Sequence, residues 1–270
     1  MSEWNFFDFA SKDNMLRNVR RQSDDMLRLA SEPGCWESPT AAGHRQVRDV
    51  VGHMVDTTEG YFASFDSAQG GSAAAEPLGV RTMNEHVDRG ALALRTVSRD
   101  DLLLRLTKDR DEMLAILDGL DAETWSGLMA PHKYMGPVPA CVYSAGQLVD
   151  YTVHSWDIRQ GTGRAHVLDG EAADLLVPFA FIVWQSTAVC DGVQPFQIGV
   201  RLTGHNGGET RLSITEEGVA LEPAPVADLP CVLEFDAASF VLTVFGRMNA
   251  GTVRGDTELA ERFANLFFRI

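Results

Sequence analysis

The chain has no apolar run near the roughly 20 residues that a helix needs to cross a bilayer. Its first residues, Met1-Ser2-Glu3-Trp4-Asn5, carry neither a basic stretch nor a long apolar one, so a cytoplasmic location is the expectation. Basic residues are scarce: 23 Lys and Arg stand against 38 Asp and Glu, for a formal net charge of −15. That balance argues against nucleic acid and anionic membrane surfaces as partners, because both repel an acidic protein. It leaves room for a small anionic substrate, since a few arginines in a pocket outweigh the global field locally. Cysteine is also sparse. Cys35, Cys141, Cys190 and Cys231 lie far apart with no C-x-x-C spacing, which excludes a disulfide framework and a zinc knuckle. They read as reduced, mostly buried thiols. No internal repeat or low-complexity tract is visible.

What is present suffices for two domains: 270 residues, 45% of them hydrophobic. Met15, Val19, Met26 and Leu29 space out a first amphipathic helix from Ser11 to about Ala30, ended by Glu32-Pro33-Gly34. A second helix, from about Gln46 to Asp66, carries an apolar stripe running from Val47 and Val50 to Tyr61 and Phe65. His53 lies at the edge of that stripe, where a neighbouring helix would pack. Alone it reads as a hydrogen-bonded residue at the rim of the core. The Gly- and Ala-rich stretch from Ser67 to Gly79 predicts a flexible connection. Met83 to Gly119 reads as helix again, divided near Asp88-Arg89-Gly90 and near Ser98, with Ser98 as an N-cap. Ala122 to Cys141, with three prolines and two glycines, predicts a long ordered loop.

The next helix, roughly Val142 to Gln160, is the most informative stretch. Taking 100° per residue, Asp150, His154 and Asp157 fall in one sector of roughly 60°, while Leu148, Val149, Tyr151, Val153, Trp156 and Ile158 fill the rest. A helix apolar around most of its circumference is buried, and buried carboxylates and imidazoles need partners. Asp and His at i and i+4 can converge on a metal ion. They can equally satisfy one another by a hydrogen bond. These helices predict a four-helix bundle over residues 1–165. Beyond it, 166–270 reads as a small α+β domain. Glu171 to Cys190 is an apolar helix with Pro178 inside it. Strands are expected at Phe196–Thr203, Thr210–Thr215, Val219–Glu222 and Val232–Phe235, and helices at Ala237–Phe245 and Thr257–Phe268.

The run Val47-Arg48-Asp49-Val50-Val51-Gly52-His53-Met54-Val55-Asp56, preceded by Trp36 and Pro39-Thr40, resembles the mycothiol-dependent maleylpyruvate isomerase family. So does Val153-His154-Ser155-Trp156-Asp157-Ile158. Val244-Phe245-Gly246-Arg247 and Val253-Arg254-Gly255-Asp256-Thr257 look like that family's C-terminal domain. The resemblance implies a DinB-like metal-binding four-helix bundle followed by a sterol-carrier-like α/β sandwich domain, hence an α+β protein. It also implies a divalent metal, usually zinc, held by a histidine of the second helix and a Glu-x-x-x-His pair of the fourth. Those positions here are His53, Asp150 and His154, with Asp150 standing where the family has Glu.

Mycothiol would be the second cofactor, its thiol ionised at the metal to attack a small electrophile. The partners expected are therefore a low-molecular-weight thiol and a small-molecule substrate. Isomerisation of a maleylpyruvate-like double bond and S-transfer are both compatible with this. The alternatives are a thiol-independent metalloenzyme of a secondary-metabolite pathway and a non-catalytic binding or stress protein. Arg81, Arg247 and Arg254 are candidate cations for a carboxylated substrate. His132 and Tyr134, on the proline-rich loop, are candidate acid–base or pocket-lining groups. Asp157 is expected to orient a ligand, and Asp56 is a second candidate for that role. His44, His86, His166 and His205 read as loop or surface residues.

Overall fold

A computed structural model describes residues 2–164 and 167–268. The chain divides into two compact units, Met1–Ala172 and Ala173–Ile270. The first contains α1 (Lys12–Ser31), α2 (Val47–Ala68), α3 (Met83–Ala93), α4 (Arg99–Asp118), α5 (Ala122–Gly127), β1 (Met129–His132), β2 (Gly136–Pro139) and α6 (Cys141–Gly161). The long helices α1, α2, α4 and α6 form a bundle in which α1 packs on α6 and α4, and α2 packs on α4 and α6. The stripe expected on α1 is its core face. Met15, Val19, Met26 and Leu29 are all essentially inaccessible, and burying each contributes about 1.5–3 kcal/mol.

The helix ends follow from local chemistry. Ser98 caps α4 by accepting from the Asp101 N–H at 3.2 Å. At α2, Gln46 and Asp49 form a reciprocal capping box, and Arg95 grips the Asp49 carboxylate through two hydrogen bonds of 2.6 and 2.9 Å. Burial alone would raise the Asp49 pKa. The Arg95 guanidinium and the Gln46 N–H outweigh it and hold the carboxyl below its ordinary range. This anchors the start of α2 one turn before His53.

Helix α6 is the axis of the unit. Every residue from Cys141 to Ile158 is buried except Asp150, which is half-buried. Its C-terminal end is held against the loop before α2. The Ala41 N–H donates to the Asp157 carbonyl at 3.0 Å, and Gly161 lies flush on the backbone of Pro39 and Thr40.

The expected long loop over 122–141 is instead helix α5 and a β-hairpin. Pro131, Pro137 and Pro139 mask the strands in the sequence, yet each strand of this two-stranded sheet pairs on one side only. An unpaired edge is where a residue without an N–H is tolerated. Gly136 supplies the positive φ (78°) at the turn. The stretch 73–79 has no regular secondary structure, and its end is tied to the hairpin by the Leu78 N–H donating to the Lys133 carbonyl at 2.9 Å.

The second unit is a five-stranded sheet of order β5-β4-β3-β6-β7, with β3 (Phe196–Thr203), β4 (Gly208–Thr215), β5 (Gly218–Pro223), β6 (Cys231–Asp236) and β7 (Thr252–Gly255). All neighbours are antiparallel except β3 and β6. Helices α7 (Gly170–Thr187, which begins in the first unit), α8 (Ala237–Val244) and α9 (Thr257–Ala264) accompany it. Trp184 organises the core, with Phe240 and Phe263 edge-on at 4.9 and 5.0 Å and Phe267 stacked at 5.5 Å. Strand β7 was not expected. All four of its residues are exposed, so it carries none of the alternation that marks a half-buried strand. Helix α9 is four residues shorter than expected.

Two glycines test the packing. Gly161→Ala would drive a methyl to 2.2 Å from the Pro39 carbonyl oxygen, and overpacking against backbone should cost about 1–3 kcal/mol. Gly60→Ala, on the exposed side of α2 with open space around it, should stabilise by about 0.4–1 kcal/mol. Urea denaturation midpoints should move in opposite directions for the two variants.

Candidate metal centre

The regular spacing of α6 puts Asp150 and His154 on consecutive turns of one face, and α2 brings His53 to meet them. One ligand atom from each of His53, Asp150 and His154 lies within 4.8 Å of the others. The two imidazoles meet edge to face with centroids 5.3 Å apart. Both histidines are buried.

Asp157, fully buried, sits one turn beyond His154, and its Oδ2 lies 2.9 Å from His154 Nδ1. Against a carboxylate Nδ1 carries the proton, so Nε2 keeps its lone pair for a ligand. His53 Nδ1 lies 3.5 Å from the Thr57 hydroxyl on its own helix. Two imidazoles and a carboxylate are the donor set of an open divalent-metal site, and the residues present fit one ion. Asp56 packs against Gly90 of α3.

Around this cluster α2 and α6 supply further polar groups. Gln147 donates to the Thr58 hydroxyl at 3.1 Å, deep in the interface. The Tyr61 hydroxyl lies over Gly146, where a Cβ would come within 2.7 Å of it. Burial, and then the Asp150 and Tyr143 charges, push the Tyr61 phenol well above its usual pKa. The Tyr143 ring meets Tyr61 edge-on at 4.8 Å, and burial pushes its phenol up to about 12. Sequence reasoning missed the placement of Tyr61 against α6, absorbing the residue into the apolar stripe. The available signal was spacing, since Tyr61 is two i+4 steps from His53, and Gly146 is one such step before Asp150.

The other expected residues are distributed more widely. His132 and Tyr134 stand together on the hairpin, with ring centroids 6.1 Å apart, and His132 also faces Tyr61 and Tyr143 at 6.3 and 6.1 Å. Burial, with a smaller effect from Lys133, lowers the His132 pKa to about 4. Arg81 is exposed, in a single 3-10 turn, Val80–Thr82, that follows the hydrogen bond anchoring Leu78. Arg247 and Arg254 belong to the second unit. Arg247 donates to the Phe245 carbonyl at 2.8 Å. Arg254 is exposed on β7 and pairs with Glu234 at 2.8 Å, a carboxylate shared with Arg201. His44 and His205 are exposed, His86 is half-buried, and His166 lies outside the described residues. All four cysteines are buried and unbridged, and burial pushes the Cys141 thiol up to about 12.

A helical bundle with two histidines and an aspartate gathered from facing helices, followed by a mixed-sheet domain, defines the class: an α+β protein with a candidate divalent-metal centre in its bundle. The chain belongs to the mycothiol maleylpyruvate isomerase family, whose N-terminal domain matches residues 16–159, more than half of its length. Among solved structures, the crystal structure of a mycothiol-dependent maleylpyruvate isomerase is similar with a TM-score of 0.58 at 14% identity, covering 90% of this chain and 92% of that one. A histidine-to-alanine variant of that enzyme gives the same values. At this identity the likeness establishes the fold. The colibactin self-resistance protein ClbS, in complex with double-stranded DNA, matches at a TM-score of 0.48 and 12% identity, over 57% of this chain and 97% of its own. That likeness supports no argument here. No curated protein matches the sequence.

Two outcomes follow from the geometry. Asp157→Asn removes the carboxylate that orients His154, and zinc affinity should fall about 10–100-fold while His154→Ala abolishes stoichiometric binding; metal analysis after dialysis against a zinc buffer reads both. For His132, the folded pKa of about 4 lies below the ordinary 6.5. The unfolded chain therefore binds the extra proton between those values, and the stability present above pH 6.5 is lost as pH falls toward 4. The stability difference between wild type and His132→Gln should accordingly shift against wild type between pH 7 and pH 5, as read by urea midpoints.

Proposed function

We propose that this protein is a metal- and mycothiol-dependent isomerase or S-transferase acting on a small electrophile. The observation that carries the reading is the three-ligand set His53, Asp150 and His154, drawn from two helices, with Asp157 holding His154 in the ligating tautomer. Three protein ligands leave a coordination position open, the arrangement of catalytic and not of structural sites. We take the ion to be zinc, which accepts nitrogen and carboxylate ligands together. Bound there, it would supply the charge that keeps a thiol ionised at neutral pH.

The thiol itself has to come from outside the chain. The protein's four cysteines are buried, and a thiol raised to about 12, as at Cys141, is not a nucleophile at neutral pH. A small-molecule thiol such as mycothiol fits that requirement, and the family supports the choice. Unbridged cysteines also suit a reducing compartment, so we place the protein in the cytoplasm. Arg81, Arg247 and Arg254 remain our candidate cations for a carboxylated substrate, and Tyr134 a candidate lining residue. Arg81 has support from the bond that fixes Leu78, three residues before it, to the hairpin carrying His132.

Asp150 favours one second reading. It is a methylene shorter than the glutamate of the isomerase pattern and only half-buried. A metalloenzyme working without mycothiol would tolerate that change equally well.

Calorimetry separates the two. Mycothiol should release binding heat with the zinc-loaded protein and none with the metal-free protein. Silence in both states would rule out the thiol-dependent reading and leave the second.

A further inference from the structure

We propose that the Tyr61 hydroxyl and the Nε2–H of His132 form a pair of hydrogen-bond donors for a carbonyl oxygen of the electrophile, with His132 serving as a neutral donor and not as an acid or base. The inference deepens the thiol-dependent reading of the same site and rests on it for the identity of the attacking group.

The tautomer of His132 follows from the hairpin. The turn after β1 folds back so that the N–H groups of Tyr134 and Met135 both donate to His132 Nδ1, at 3.3 and 3.2 Å. A nitrogen that accepts from two donors carries no proton of its own, so the ring proton resides on Nε2. Adding a second proton at Nδ1 would set three N–H groups against one another. Burial acts in the same direction. Among the described residues no group accepts from Nε2, and His132 is half-buried. The ring edge is therefore a donor available to a ligand.

Tyr61 provides the second donor. Its ring faces His132 at 6.3 Å, and its hydroxyl lies over Gly146, one turn before Asp150 on the same side of α6. No described side chain hydrogen-bonds this hydroxyl, and Tyr61 is half-buried. Gly146 is what admits it, since any side chain there would displace the phenol. Tyr61, near enough to Asp150 to feel its charge, and His132, whose ring faces that of Tyr61, thus provide two neutral donors.

Their chemistry selects a substrate class. When a thiolate adds to a carbon–carbon double bond conjugated to a carbonyl, the S–C bond forms and the π pair moves onto the carbonyl oxygen. Rotation about the new single bond and return of that pair break the S–C bond and restore the double bond in the other geometry. Atoms and electrons balance with no proton consumed. Fixed O–H and N–H donors stabilise the transient oxyanion. A neutral imidazole is far too weak an acid to protonate the adduct, whereas an acidic group there would trap it as a saturated thioether. The pair therefore favours reversible addition to an unsaturated carbonyl compound, which is isomerisation, over S-transfer.

The test uses the full-length protein labelled with ¹⁵N-histidine. The His132 ring should show the neutral Nε2–H pattern at pH 6 and above, with or without zinc. An Nδ1–H tautomer, or a cation at pH 6, would overturn the proposal. Acetopyruvate, a dioxo acid with an enolate oxygen and no need of a thiol, is the binding probe for the zinc-loaded protein. Its affinity should fall about tenfold in Tyr61→Phe and in His132→Ala, and recover in His132→Gln, which keeps a neutral N–H donor. Zinc content should stay unchanged throughout. Equal affinities in wild type and variants, or no binding by wild type, would also overturn it. Mycothiol heats on the same samples keep the two readings apart: if mycothiol binding is absent while the probe series behaves as expected, only the thiol assignment falls.

Discussion

Helix α6 is buried on nearly every side, so the carboxylate of Asp157 and the imidazole of His154 need partners other than bulk water. An unmatched buried carboxylate or imidazole costs several kcal/mol or neutralises itself. The Asp157–His154 hydrogen bond is the clearest settlement of that demand, joining a fully buried carboxylate to a buried ring at 2.9 Å. Once it forms, the orientation of His154 and the availability of its Nε2 are settled together. The rest of the centre depends on it, because His53 and Asp150 each bring one ligand atom within 4.8 Å of one on His154.

The scaffold around α6 serves the same constraint. The bidentate grip of Arg95 on Asp49 sets the first turn of α2, and hence the height at which His53 enters the bundle. Gly161 and the Ala41–Asp157 bond press the far end of α6 onto the preceding loop. The hairpin, packed on α2, carries His132 toward Tyr61 and Tyr143. One side of the cluster thus holds the candidate metal ligands, and the rings of Tyr61, Tyr143 and His132 gather near it.

Much of the fold was legible where packing leaves a periodic trace. The stripe Met15, Val19, Met26 and Leu29, the cap at Ser98 and the strand Phe196–Thr203 all declare themselves through spacing or capping chemistry. The hairpin at 129–139 did not, because three prolines are a loop signal unless each strand is known to pair on one side alone. Strand β7 did not, because an exposed edge needs no alternation. In the site, His53, Asp150 and His154 were found through their sequence contexts. Tyr61 was hidden because a tyrosine on a helical stripe is normally core.

By itself the sequence determined which residue types could meet. A helix with Asp150, His154 and Asp157 in one sector can carry that chemistry on one face only, since 100° per residue is a property of the backbone. It also settled the absence of a C-x-x-C spacing and the acidic balance of the chain. The tertiary structure alone decided how those groups face one another. That His53 meets Asp150 and His154, and that Tyr61 stands over Gly146, depend on distances between elements remote in the chain. Periodicity encodes direction around a helix axis, and carries no information about what the neighbouring element brings to that side.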